Sequence, residues 1–440
     1  MIHIQKKSSF TPSAPWWLSP SGLAIGFLLP VYFAIIFVGS IGTESIRVKG
    51  MVFLQNWHLA LGAALIAVMA IGSKVGEQVQ LSDHGKISER NWTPFVWAYG
   101  LIVLFAYTFW FKDIIFSPSA LVGVITGGKK FSRNDLSAVA GVTSLVNFLP
   151  VYFAVISYLL ATEPKKVPFS LKALSVILFL FTIFRVYVWA ERLALIELFV
   201  ASFLPFLIEM HRRSTNTAIK TLLKLGPIVG IPALIAYFGG AEYFRSWQSD
   251  VYNNKTSFWS FAVGRLGSYY YTSLNNGAGL LELFDWPTYK FEHTLQFAHK
   301  APALIGPIFR YYTGTSHSTL DEFLNLYADP EFNNPSGLYT TVFDMGIAGA
   351  FYYYAIMGFL AGVLYRSFLG GGARGVIFYP LFFIMMLEIY RYPYLGSSRS
   401  FTSVLGGLLA LWVLGLKRKQ INKKAALSKL TATTVRLAKK

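Results

Sequence analysis

Long apolar runs separated by short polar stretches dominate the chain. A membrane-spanning helix needs about 20 mostly apolar residues, and ten segments have this character. They are residues 22–41, 56–73, 94–111, 136–161, 168–189, 192–210, 218–238, 346–365, 375–391 and 400–416. The pattern therefore predicts an all-α, polytopic membrane protein with about ten transmembrane helices.

Two stretches interrupt this pattern and divide the chain. Residues 239–345, between the seventh and eighth apolar runs, are too long for a connector and show helical periodicity from Phe258 to Leu283. We expect transmembrane helices 1–7 in residues 1–238, a mostly helical external cap in 239–345 and helices 8–10 in 346–416. The lysine-rich residues 417–440 are expected to form a cytoplasmic tail on the inner membrane surface.

Composition excludes a soluble protein and predicts an orientation. The chain is 54% hydrophobic and 14% charged, and its net charge of +18 lies in short basic clusters between apolar runs. Cytoplasmic loops have this pattern, so we do not expect nucleic-acid binding. Most of the 39 lysines and arginines fall on the side of the N-terminus, which predicts cytoplasmic termini and an external cap. Cysteine is absent, which excludes disulfides and thiolate metal sites.

Ionisable side chains gather at the predicted outer edge of the membrane, where they are costly and tend to mark sites. Planar guanidinium groups bind phosphates in a bidentate manner, so the arginines among them predict a phosphate or diphosphate ligand. For each single arginine, a membrane-surface anchor or a local ion pair is the alternative. The edge holds Arg185, Glu191, Arg192, Asp344, Glu388, Arg391 and Arg399, and the cap adds Arg245, Arg265 and Arg310.

Aromatic and polar residues of the cap are candidates for binding sugars. Tyr269, Asn275 and His317 belong to this set, although tyrosines also form the interfacial belt of membrane proteins. For Asp344 the alternative to a catalytic role is an N-cap of the eighth transmembrane helix. The histidines of the cap do not have metal-ligand spacing, so we expect no metal site.

Several reaction classes lack their minimal residues. No G-x-S-x-G, G-x-x-x-x-G-K-[ST] or H-E-x-x-H sequence occurs, which excludes the hydrolases, NTPases and zinc proteases that depend on these motifs. A transporter or lipid flippase is a further alternative. Such proteins usually have paired halves and ionisable groups at mid-membrane, whereas only Glu197 lies well inside an apolar run here.

One segment resembles a known family. Asn334, Thr340–Thr341 and Asp344-Met345-Gly346, followed by Gly349 and Gly358, are similar to the N…T…D-x-G-x-x-G segment of the Wzy-type O-antigen and oligosaccharide repeat-unit polymerases. The likeness extends to Arg192 at the start of an apolar run, Arg265 followed by Tyr269, and Arg391 and Arg399 in the last external turn. Met345 departs from it, because an aromatic residue is expected there.

The resemblance implies a GT-C-like membrane glycosyltransferase of the bacterial inner membrane, with its active site facing the periplasm. Its donor would be a sugar or oligosaccharide on a polyprenyl (di)phosphate, and its acceptor a glycan, lipid or protein. The donor is a substrate, and no cofactor is expected. A chain-length regulator and other glycan-assembly proteins are the partners that the resemblance implies, besides membrane lipids.

Physical reasoning about such a reaction assigns roles to these residues and to others of the cap. The predicted phosphate- and substrate-binding residues are Arg192, Arg265, Tyr269, Asn275, Arg310, Arg391 and Arg399. The predicted base is Asp344, then Glu191, then His317. Metal-dependent GT-C enzymes carry several acids in the first external loop, and Glu44 is alone there, so a metal-independent reaction is expected. Transfer of a single sugar from a polyprenyl monophosphate, or ligation of a lipid-linked glycan, stays open.

Overall fold

The computed structural model describes most of the chain and shows it to be helical. The described residues are 14–42, 51–79, 87, 92–125, 136, 138–139, 141–189, 191, 193–243, 247, 257–301, 305–314, 319–328 and 332–413. In these ranges the secondary structure consists of helices and no strand. The all-α prediction is confirmed.

The helices before the predicted cap match the first seven apolar runs. A π-helical turn, Ala24–Leu28, joins α1 to α2, and a 3-10 turn, Thr143–Phe148, precedes α7. The helices are α1 (Pro20–Leu23), α2 (Leu29–Gly42), α3 (Asn56–Gly76), α4 (Thr93–Trp110), α5 (Lys112–Ile115), α6 (Pro118–Ile125), α7 (Leu149–Thr162), α8 (Phe169–Trp189), α9 (Leu193–Arg213), α10 (Thr217–Lys224) and α11 (Gly226–Glu242).

The helices that follow include both short cap helices and the last apolar runs. They are α12 (Phe258–Leu283), α13 (Gln296–His299), α14 (Ile305–Thr313), α15 (Thr319–Tyr327), α16 (Gly337–Leu369) and α17 (Ala373–Leu387). A final helix, α18, runs from residue 398 to the last described residue, 413.

Seven of the described helical segments are long and apolar enough to cross a membrane, and the number is eight if the bent pair α10–α11 is one span. That pair is bent by 59° at Leu225. The ninth predicted run is the 15-residue helix α17, and the tenth is α18. The chain is therefore a multi-pass α-helical membrane protein, although the structure supports seven or eight spans by length and composition where the sequence predicts ten.

Glycines allow α3 and α16 to pack backbone against backbone. A Cβ atom at Gly358 would lie 2.0 Å from the carbonyl oxygen of Met69, and one at Gly76 would lie 2.1 Å from that of Phe359. Gly72 and Gly362 are equally crowded, at 2.3 and 2.2 Å from carbonyl oxygens of the facing helix. Small residues four positions apart on both helices are what close helix packing in a membrane requires.

The helix α16 begins earlier than the sequence predicts and is interrupted. It starts at Gly337 rather than at residue 346, and Gly346 has φ 74° and ψ 171°, which is not helical. Residues 337–344 before the break are buried. Because a positive φ is cheap only for glycine, Gly346 allows the chain to change direction directly after Asp344.

The predicted cap is only partly separate from the bundle. Its first long helix, α12, packs against α2 and α16 and buries residues 271–281 among them. Residues 239–242 belong to α11, and residues 337–345 belong to α16. After α12, the part of the predicted cap that lies outside the long helices is therefore residues 284–336.

Candidate functional site

Asp344 anchors a turn that is distant in sequence. Its side chain is fully buried, and its Oδ2 accepts hydrogen bonds from the backbone N–H of His293 (3.1 Å) and Thr294 (2.7 Å) and from the Thr294 hydroxyl (2.8 Å). Its Oδ1 is buried and has no hydrogen-bond partner among the described residues. The N-cap alternative is wrong, because the amides that Asp344 satisfies belong to residues 293–294 and not to α16.

The loop before this turn is hydrogen-bonded to the chain at the break in α16. The backbone N–H groups of Thr288 and Tyr289 donate to the carbonyl oxygens of Phe343 and Asp344, both at 2.9 Å. Tyr289 has φ 53° and Phe291 has φ 57°. Positive φ values at bulky residues are strained and persist where surrounding contacts enforce them. The two strained residues thus lie in the loop that is hydrogen-bonded to the chain at Asp344.

A second turn, which contains Gly396, links this region to Arg391 and Arg399. A Cβ atom at Gly396 would lie 2.4 Å from the carbonyl oxygen of Thr294 and 2.6 Å from that of His293. The rings of Phe297 and Phe401 stack with centroids 3.9 Å apart. The turn containing Gly396 therefore rests on the same backbone that Asp344 holds.

Two predicted site residues, Glu191 and Arg399, belong to one partly buried ion network. Arg399 donates from Nε (2.9 Å) and Nη2 (2.6 Å) to Glu197 Oε2, and from Nη1 to Glu191. Arg185 binds the other oxygen of Glu191, with Nε at 2.8 Å. The Tyr394 hydroxyl donates to Glu197 Oε1 at 2.6 Å. Glu191 is thus held between two guanidinium groups.

Arg391 forms a separate pair beside this network. Its Nη1 donates to Glu388 at 2.6 Å, and its Nη2 donates to the Tyr269 hydroxyl at 2.8 Å. Its Nε is buried and has no hydrogen-bond acceptor among the described residues. The charge of Glu388 raises the pKa of Arg391 against the effect of burial, so the guanidinium stays charged. Arg391 therefore offers a buried N–H donor to an added acceptor.

A small crevice lies between the two charged regions. It has room for about one water molecule and is lined by Met69, Tyr353, Tyr354, Met385, Ile389, Tyr392, Pro393 and Tyr394. Tyr353 interacts electrostatically with Asp344, and Tyr392 with Glu388 and Arg391. Aromatic walls and hydroxyl groups are surfaces that sugar rings bind.

The charges of the site are balanced. Three guanidinium groups face three carboxylates within the described residues of this region: Arg185, Arg391 and Arg399 against Glu191, Glu197 and Glu388. Buried ion pairs of this kind hold side chains in fixed positions but add no excess positive charge. These pairs leave no arginine unmatched, and Asp344 adds a further carboxyl group, so an anionic ligand here would be bound by preorganised donors rather than by excess positive charge.

Several predicted site residues lie elsewhere or are engaged in the fold. Asn275 accepts from the backbone N–H of Phe53 (2.7 Å) and donates to the carbonyl of Met51 (2.8 Å), so it fixes residues 51–54 rather than facing a crevice. Arg265 is buried and paired with Glu242 at 2.6 Å. Arg310 donates to the carbonyl of His299. Arg192 and His317 lie outside the described residues.

Sequence reasoning missed Glu292, which precedes the turn held by Asp344. Glu292 is partly buried, and its Oε1 has no hydrogen-bond partner in the described part of the chain. Burial raises the pKa of Glu292 to about 7, with Lys290 lowering it and Asp344 raising it further. Burial also lowers the pKa of His293. No motif marks Glu292, because its environment depends on contacts with residues 50 positions away.

Comparisons with protein-family models, with curated proteins and with solved structures find no match to this chain. Within the described ranges, no group of three or more His, Asp or Glu side chains is arranged to hold a metal ion. A function must therefore be argued from the geometry of the site and from the residues that carry the family resemblance.

Proposed function

We propose that the protein is a membrane glycosyltransferase that takes a sugar from a polyprenyl-(pyro)phosphate donor at the outer face of the membrane. Its product would be an extended surface glycan of a bacterium. The resemblance of Asn334–Gly358 to the repeat-unit polymerases supports this reading. The chemistry needs three parts at one place: a proton acceptor, a surface for sugar rings and cationic donors for the leaving phosphate.

The juxtaposition of the Asp344 turn, the tyrosine-lined crevice and Arg391 is the observation that carries the proposal. The crevice joins residues of α16, which carries Asp344, to the turn that follows Arg391, and each of the three elements supplies one of the required parts. Tyr353 connects the crevice to Asp344, and Tyr392 connects it to Arg391. A transport pathway has no need of this combination of a carboxyl group and a guanidinium donor beside tyrosine side chains.

In the proposed reaction the acceptor oxygen attacks the anomeric carbon of the donor sugar with a lone pair. The bond between that carbon and the phosphate oxygen breaks, and its electron pair leaves with the phosphate. Hydrogen-bond donors that are already in position stabilise this growing negative charge in a water-poor site. Arg391 supplies such a donor through Nε, and Arg399 is held nearby by Glu191 and Glu197.

A monophosphate donor carrying a single sugar is the second candidate, and the charge balance of the ion pairs favours it. The arginines of the described site are matched by an equal number of glutamates. A diphosphate would require more positive charge than these residues leave uncompensated.

Arg391→Ala is expected to reduce sugar transfer by about 10²–10³-fold, because one donor to the leaving phosphate is lost. Arg391→Lys keeps the charge beside Glu388 but removes the planar Nε donor. We therefore expect its thermal stability to be closer to that of the wild type than its transfer rate. The measurement is the initial rate of donor consumption by purified protein in lipid vesicles.

Arg213→Ala is the matched control for these variants. Arg213 is an exposed arginine at the C-terminal end of α9, far along the helix from Glu197, and it pairs with Glu209. Its removal should leave the transfer rate unchanged. Equal rates for wild type and Arg391→Ala would contradict the role given to Arg391.

A further inference from the structure

One oxygen of the Asp344 carboxylate holds the turn at residues 293–294, and the other is buried without a partner among the described residues. Three donors converge on its Oδ2, and the whole side chain is shielded from solvent. Removing a carboxylate from three hydrogen bonds is costly, and a buried group of this kind is remote from an incoming acceptor hydroxyl. Asp344 therefore has the surroundings of a positioning residue.

Glu292 has the opposite surroundings. It lies next to the residue whose backbone N–H binds Asp344, and it retains partial exposure. No hydrogen bond within the described ranges holds the Glu292 carboxylate, whose Oε1 is buried without a partner, as Oδ1 of Asp344 is. A carboxylate oxygen without donors keeps its affinity for a proton, because no hydrogen bond stabilises its charged form.

The backbone around Glu292 is strained and fixed. The preceding residue, Phe291, has φ 57°, and Tyr289, with φ 53°, is tied to the carbonyl of Asp344. Such a conformation persists only when neighbouring contacts over-determine it. The Asp344 hydrogen bonds and the contact of Gly396 with residues 293–294 provide these contacts. They hold the Glu292 backbone in one position.

On these contacts, and resting on the glycosyl transfer proposed above, we infer that Glu292 is the base that accepts the proton of the acceptor hydroxyl and that Asp344 is the positioning residue behind it. The proton passes from the acceptor oxygen to the Glu292 carboxylate as that oxygen bonds to the anomeric carbon. The phosphate departs with the electron pair of the broken bond. The protonated Glu292 then releases its proton to water, which restores the site.

The acidity of Glu292 suits this role. Its pKa of about 7 results mainly from burial, and the charged groups that act on it are Lys290, which lowers the value, and Asp344, which raises it. Neighbouring His293 has a lowered pKa and is neutral at pH 7. A base works in its deprotonated form, so transfer should fall as pH drops through about 7. A glutamate with the ordinary pKa of about 4.3 would give no such fall in transfer rate near neutral pH.

The test measures transfer by the full-length protein in vesicles between about pH 5 and pH 9, the range that brackets this ionisation. The probes are a polyprenyl-monophosphate-linked hexose and its diphosphate counterpart, with a short oligosaccharide acceptor. Glu292→Gln should lower the rate by about 10²–10⁴-fold. Lys290→Gln should raise the pH at which the transfer rate begins to fall, since Lys290 lowers the pKa of Glu292. A purely structural role for Glu292 predicts no such movement.

The outcomes separate this inference from the proposed function. The wild-type and Glu292→Gln proteins could transfer sugar at equal rates with the same dependence on pH. Glu292 would then not be the base, although the proposed function would stand. If the wild-type protein consumes neither donor, the proposed function fails and this inference fails with it. Thermal unfolding of Glu292→Gln in detergent provides the folding control, and we expect a midpoint close to that of the wild type.

Discussion

Gly358→Leu is expected to push α3 and α16 apart and to lower the stability of the folded bundle by about 3 kcal/mol or more. A Cβ atom at residue 358 would lie 2.0 Å from the carbonyl oxygen of Met69. That oxygen belongs to a helix backbone, which cannot rotate away as a side chain can. Overpacking a core usually costs about 1–3 kcal/mol, and a clash with backbone falls at or above the upper end.

The measurement is the thermal unfolding midpoint and the monodisperse yield of the purified protein in detergent. Gly230→Leu is the matched control, because Gly230 lies in the apolar helix α11 and a Cβ atom there would meet nothing within 4 Å. Its midpoint should stay near that of the wild type. A Gly358→Leu protein as stable as the Gly230→Leu protein would show that α3 and α16 do not pack through their glycines.

Arg399→Ala should have the second large effect, since it removes the cation that pairs directly with Glu197. Glu197 is 4% exposed and would keep one hydrogen bond, from the Tyr394 hydroxyl, and the more distant charge of Arg185. Breaking a buried ion pair by removing one partner typically costs about 3–5 kcal/mol, because the remaining charge is uncompensated. We expect a marked loss of thermal stability together with a loss of transfer activity.

Adding Glu197→Gln to Arg399→Ala separates the two effects. The double variant removes the buried charge, so most of the lost stability should return, whereas transfer should stay low if the Arg399 guanidinium acts on the donor. A double-mutant cycle on unfolding midpoints gives the coupling between the two residues. Full recovery of both stability and transfer in the double variant would reduce Arg399 to a partner of Glu197.

The sequence predicts well what depends on length and hydrophobic pattern. Helices occupy most of each of the ten apolar runs in the described ranges, and Arg399 meets Glu191 as the predicted clustering of charged residues at one membrane edge indicates. Both results follow from the cost of exposing backbone or charge to lipid. The number of full spans is less certain from pattern, because α17 has only 15 residues.

The site itself depends on contacts that no local pattern encodes. The N-cap rule considers the residues next to Asp344, whereas its hydrogen-bond donors come from residues 293–294, some 50 positions earlier. Asn275 looked like a sugar ligand because its amide is polar, but the structure uses it to fix residues 51–54. The importance of Glu292 likewise arises from burial beside Asp344.

One feature of the sequence contained more information than its hydrophobicity. Gly72 and Gly76 on α3, and Gly358 and Gly362 on α16, each have the small-x-x-x-small spacing of closely packed membrane helices. This spacing predicts a close contact on each helix, while the identity of the partner helix requires the structure. The pair α3–α16 is what positions the Asp344 end of α16 against the rest of the bundle.

Incubation of the purified full-length protein with a polyprenyl-monophosphate-linked sugar and, separately, with the diphosphate form tests the central claim most directly. Mass spectrometry of the products then identifies any transfer. We expect a glycan lengthened by the donor sugar together with free polyprenyl (di)phosphate, and neither product from the Arg391→Ala protein above about 1% of the wild-type amount. Intact donors after incubation, with the donor lipid instead moved across the vesicle membrane, would contradict the assignment as a glycosyltransferase and indicate a transporter.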